Sequence, residues 1–206
     1  MDASVAEQQR ILASDWGGGK SPFGTDWAKF MMWIFIISDA LTFAGFLIAY
    51  GFMRSTSPSW PAQTEVFNMV LITFMTFDLI SSSAVMAMAV GAARAGDAKA
   101  AVKYLVLTII GGIIFLGCQV CEWYHFIEHG ARLNHNPWGV PQFAASFFVI
   151  TGFHGFHVFS GLTILAIVAV RASMGKYSAT SVENAGLYWH FVDVVWVFVF
   201  AFFYLL

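Results

Sequence analysis

Seven ionisable side chains interrupt stretches that are otherwise apolar: Asp39, Asp78, Glu122, His154, His157, His190 and Asp193. Carboxylates and imidazoles in such surroundings can relay protons or bind a metal ion, and they can also pair across helices and fix a bundle. Each costs roughly 3 kcal/mol to place at membrane depth on insertion scales, so all are expected to turn inward toward a partner. Glu122-x-x-His125 has the i, i+3 spacing of a di-iron bundle, with His129 a turn beyond. The second set that such a centre needs is missing, because His154-Gly-Phe-His157 has no adjacent glutamate. No metal and no cofactor is therefore expected in this chain. Cys118-x-x-Cys121 lies inside an apolar stretch rather than at a helix start after a strand, so both thiols read as buried structural residues. Neither a glycine-rich phosphate loop nor a serine in a nucleophile elbow occurs, and no catalytic residue is assigned.

The elements that must position these groups follow from composition. Hydrophobic residues make up 59% of the chain and charged ones 11%, against roughly 45–50% and about 25% in soluble proteins, which excludes a soluble globule. The formal charge of -2 gives no basic excess for nucleic acid. Apolar runs of about 20 residues, long enough to cross a bilayer as helices, occur at 28–53, 67–91, 104–127, 143–170 and 187–206. The expected fold is all-α: a polytopic bundle of five transmembrane helices occupying 28–206, preceded by a cytoplasmic segment 1–27. That segment has no apolar core, so a cleaved signal peptide is not expected. Arg10, Lys20, Lys29, Arg94, Lys99, Lys103, Arg171 and Lys176 fall on one side, and Arg54 and Arg132 on the other. Basic loops resist translocation, so the N-terminus is expected inside and the C-terminus outside.

Small residues recur along the spans, among them Gly45 in the first, Ser81, Ser82 and Ser83 in the second, and Gly111, Gly112 and Gly117 in the third. They predict close helix packing. Trp60, Trp123, Tyr124, Trp138 and Trp189 stand near predicted span ends and read as interfacial anchors. His190 and Asp193, three residues apart, share a face of the fifth span. That face is expected to meet His154 and His157 of the fourth in one interhelical hydrogen-bonded set.

Several stretches in order resemble one family: Phe35-Ile-Ile-Ser-Asp39, Ser59-Trp60-Pro61, Gly96-Asp97, Gln119-Val-Cys-Glu122-Trp-Tyr124, Phe147-Phe-Val-Ile-Thr-Gly-Phe-His154-Gly-Phe-His157-Val158, and Tyr188-Trp-His190-Phe-Val-Asp193-Val-Val-Trp196. The chain resembles subunit III of the haem-copper respiratory oxidases over roughly residues 28 to 206, in a five-span form that lacks the first two of seven. The resemblance implies a non-catalytic subunit of a proton-pumping terminal oxidase in a bacterial plasma membrane. It would pack against catalytic subunit I and other oxidase subunits, with haem and copper in those partners. It also implies that the subunit stabilises the catalytic core, supports proton uptake and binds phospholipid. Asp39 matches a carbodiimide-reactive carboxylate of the family; Glu122, His154, His157, His190 and Asp193 match family positions. Arg171 matches a basic residue that contacts lipid phosphate, alongside the His154 and His157 face. Asp78 has no family counterpart. Two other readings are an accessory subunit of a nitric oxide reductase, which shares the fold, and an independent proton-conducting channel. The channel reading is weakened because carriers show internal repeats and broken helices, which this sequence does not.

Overall fold

A computed structural model describes residues 26–176 and 178–206; most of the expected segment 1–27 lies outside them. The described chain is all-helical, with five helices long and apolar enough to cross a membrane. They are α1 (Trp27–Thr56), α3 (Met69–Arg94), α4 (Ala98–Glu128), α5 (Pro141–Ser173) and α6 (Ala179–Val199), the last running on into a π turn at Phe200–Leu205. A short helix α2 (Gln63–Val66) lies between the first two spans.

Capping chemistry sets the boundaries. Asn68 accepts from the N–H groups of Val70 and Leu71 at the start of α3, Asp97 from Ala100 at the start of α4, and Ser178 from Ser181 at the start of α6. Pro141 opens α5, where its missing N–H costs nothing. The α3–α4 turn is tight because Gly96 adopts φ 78°, a left-handed conformation that a side chain would disfavour. The third and fifth spans start well before the apolar runs at 104 and 187. Their first two turns are Ala- and Ser-rich or charged, and the caps at Asp97 and Ser178 recruit them into helix.

The packing pattern is a ring with an outrigger. α3 packs on α4, α4 on α5, α5 on α6 and α6 back on α3, while α1 packs on α5, α6 and the π turn. α6 is therefore the helix shared by ring and outrigger. Its length is the most buried of the five spans, and that of α1 the least. The ring axis is filled by Trp189, Trp196, Phe115, Met75, Met86 and His154, all without solvent access. This corrects the reading of Trp189 as an anchor. Because α6 begins at Ala179, Trp189 lies almost three turns into the helix, and its indole occupies space left by Gly112 and Gly161. Gly111 and Gly112 do mediate close packing, whereas nothing lies within 4 Å of where a Cβ would stand on Gly45 or Gly117.

Antiparallel α3 and α6 are held in register by side-chain hydrogen bonds. The Trp196 indole N–H donates to Thr76 Oγ1 (3.1 Å), that of Trp189 donates to Ser82 Oγ (3.1 Å), and Ser83 Oγ pairs with His190 Nδ1 (2.6 Å). A second junction ties α1, α3 and α6 at one end of the bundle, where Glu183 Oε1 accepts both Lys29 Nζ and Arg94 Nη2, the latter at 2.8 Å. Glu183→Ala should release the start of α1. Amide hydrogen exchange over residues 27–33 is expected to speed up in that variant, and unchanged exchange would refute the clamp.

Candidate functional site: where the membrane-depth polar groups go

The seven ionisable groups do not converge on one centre. Asp39, about 18 Å along α1 from its start at 1.5 Å per residue, meets α5: His157 Nε2 stands 3.2 Å from Asp39 Oδ2. The other ring nitrogen, Nδ1, lies 2.7 Å from the Phe153 carbonyl of its own helix. A carbonyl can only accept, so Nδ1 carries hydrogen and Nε2 is the atom turned on Asp39. Phe43 and Phe153 close over the imidazole, with ring centroids 5.4 and 4.6 Å away. This contact is shielded from water by the aromatic rings.

His154, three residues before His157, faces a different way. It is fully buried between Phe115 and Trp196, at centroid distances of 5.5 and 5.0 Å, with neither ring nitrogen hydrogen-bonded. Residues three apart on a helix are rotated by about 60°, enough on α5 to aim one imidazole at the ring axis and the other at α1. The expected four-residue hydrogen-bonded set is therefore not formed. His190 bonds Ser83 of α3, and Asp193 is buried with neither carboxylate oxygen hydrogen-bonded. The His190 and Asp193 face meets α3 because α6 sits inside the bundle with a neighbour on three sides. Asp78 rests against Gly111 of α4, so α3 carries polar groups toward both of its ring neighbours.

Glu122 is held near the opposite end from the Glu183 clamp. Tyr204 in the π turn donates to its Oε2 (3.1 Å), while Oε1 has no hydrogen-bond partner. The same turn leaves the Phe203 carbonyl free to accept from Gln63 Nε2 (3.3 Å), which also reaches Tyr50 OH (3.1 Å). Tyr204 gave no sequence signal as a partner, since an aromatic residue near a span end reads as an anchor. Cys118 is half-buried and Cys121 exposed, both as free thiols, which corrects the expectation that both are buried. α4 has ring neighbours on only two sides and turns Cys121 outward.

Two concavities adjoin these groups. An apolar groove of about 560 Å3 runs between α1 and α6, walled by Ala40, Phe43, Ala44, Leu47, Phe191 and Phe198. A small cavity of about 70 Å3 at the Glu183 end brings Arg171 together with Lys176, Ser178 and Ser181. Among the described residues, no group of three or more His, Cys, Asp or Glu side chains is placed to hold a metal ion.

Fold and polar layout define a polytopic, all-helical integral membrane protein. A sequence model of cytochrome c oxidase subunit III matches residues 9–206, and the chain belongs to that family. It is 40% identical to cytochrome c oxidase subunit 3 of Synechocystis sp., over 88% of this chain and 76% of the relative. It is 35% identical to the subunit of the same name in Corynebacterium diphtheriae, over 80% of each chain. Quinol oxidase subunit 3 of Bacillus spizizenii is 33% identical over 84% of each. Relatives of both oxidase types thus match over most of their length.

Proposed function

We propose that the chain is a supporting subunit of a proton-pumping haem-copper terminal oxidase. It stabilises the catalytic subunit, holds phospholipid and assists proton uptake, while haem and copper reside in its partners. The lipid role is carried by the cavity at Arg171. There a guanidinium, the Lys176 ammonium and the hydroxyls of Ser178 and Ser181 gather at the start of α6. Cations, hydroxyl donors and a helix N-terminus all favour a phosphate oxygen. With the N-terminus inside, this cavity lies at the inner leaflet. The α1–α6 groove, in the other half of the bilayer, suits acyl chains that a neighbouring subunit's helices would close over. Proton assistance rests on Asp39 and His157, a carboxyl and an imidazole in contact beside that groove.

The oxidase assignment is tested by purifying the tagged chain in mild detergent and recording a visible spectrum. Haem should co-purify, and its absence would favour an independent channel. Arg171→Ala should lower the phospholipid retained by the complex and shorten its working lifetime, with the initial rate nearly unchanged. Immediate loss of turnover in lipid-replete Arg171→Ala complex would place the chain on the chemical pathway instead.

A further inference from the structure

The far end of α4 carries the sequence His125-Phe-Ile-Glu128-His129. Two histidines four residues apart stand about one turn apart on one face of a helix, the spacing by which helical His pairs grip zinc. His129 is the C-cap of α4, so its ring still follows the helix face. Its Nδ1 lies 2.7 Å from the His125 carbonyl. That carbonyl can only accept, which places hydrogen on Nδ1 and leaves the Nε2 lone pair free. His125 Nδ1 faces Glu128 Oε2 at 3.8 Å, beyond hydrogen-bond reach but directed at the carboxylate. An imidazole whose Nδ1 is directed at a carbonyl or carboxylate is the usual second layer around a metal-binding histidine.

Both imidazoles line a cavity of about 440 Å3 between α4 and the start of α3, together with Cys121, one turn before His125, and Glu122. Glu122 is 5% exposed, and its Oε1 has no partner. The cavity is therefore lined by two imidazole side chains, an exposed cysteine and a buried carboxyl, and none of these groups is used by the lipid cavity or by the Asp39–His157 contact.

We propose that this end of α4 binds a first-row transition-metal dication of the zinc class through Nε2 of His125 and His129. The site is independent of the oxidase reading. It is also distinct from the carboxylate-bridged centre for which the sequence lacks a second ligand set. Since no three ligating groups already surround one point among the described residues, the site is open: two imidazoles from the protein, and water from the cavity in the remaining positions. The exposed Cys121 thiol stands one turn before His125 on the same helix.

The test uses the complex purified through this chain, with zinc ion as the probe. Diethyl pyrocarbonate labels accessible imidazoles, and peptide mass spectrometry reads each histidine separately. Zinc should protect His125 and His129 while leaving labelling of the exposed His135 unchanged. Equal labelling of His125 and His129 with and without zinc overturns the proposal. After equilibrium dialysis, the His125→Gln, His129→Gln double variant should hold one zinc fewer per complex than the native protein at the same haem content. An undiminished zinc count would overturn it as well.

Discussion

Gly112→Val is expected to leave no assembled bundle. A Cβ on Gly112 would stand 2.6 Å from Trp189 Cη2 and 2.7 Å from Leu162 Cδ2, distances no packed structure tolerates. The indole has nowhere to go. It is fully buried, its N–H is committed to Ser82, and Gly161 of α5 supports its other edge. Overpacking by a single methyl costs about 1–3 kcal/mol, so Gly112→Ala should already lower the unfolding temperature, and valine's two further methyls should prevent the ring from closing. Gly117→Ala is the control: with nothing within 4 Å of its would-be Cβ, alanine there adds helix propensity at no steric cost. If Gly112→Val complex assembles with native yield, the ring axis is not packed as described.

The second large effect concerns Asp39 and His157. Their side chains are 11% and 7% exposed, and removing one member of a buried pair costs about 3–5 kcal/mol because the survivor keeps its desolvation without its partner. Asp39→Ala and His157→Ala should each cost that order of stability, measured as the temperature at which the chain leaves the complex. The double variant Asp39→Leu, His157→Phe should recover most of the loss, since an apolar pair of similar volume needs no partner. Strictly additive losses would show that the two groups do not act together, and would remove the structural ground for their proposed role in proton transfer.

The spans were legible from apolar runs, and the polar interruptions were legible because charge at membrane depth is rare. What the residues meet was harder to read. His154 and His157 carry the same side chain three residues apart, yet one faces the ring axis and the other α1, a distinction set by which neighbours surround α5. Trp189 reads as an anchor because the fifth apolar run begins at 187, whereas the Ser178 cap starts the helix at Ala179, eight residues earlier. Glu122 was visible as a buried acid, but its partner Tyr204 depends on a π turn that re-phases the last residues, and turn-level hydrogen bonding leaves no mark in hydropathy. The Glu183 clamp was missed for another reason. Lys29, Arg94 and Glu183 are far apart in sequence, and each alone is an ordinary charged residue at a helix end.

The central place of α6 has a consequence for biosynthesis. The spans α1, α3, α4 and α5 are translated and threaded into the bilayer before it, but three of the contacts that organise the molecule, to α1, α3 and α5, wait for α6. Until α6 arrives, α1 has little beyond α5 to rest on, and Thr76, Ser82 and Ser83 on α3 lack their partners Trp196, Trp189 and His190. A ribosome that stalls before residue 179 would leave a set of inserted helices with open polar faces toward lipid, the kind of species that membrane quality control removes. Closure of the bundle thus waits on α6, and any partner that reads the finished α1–α6 surface also reads that translation has passed α6.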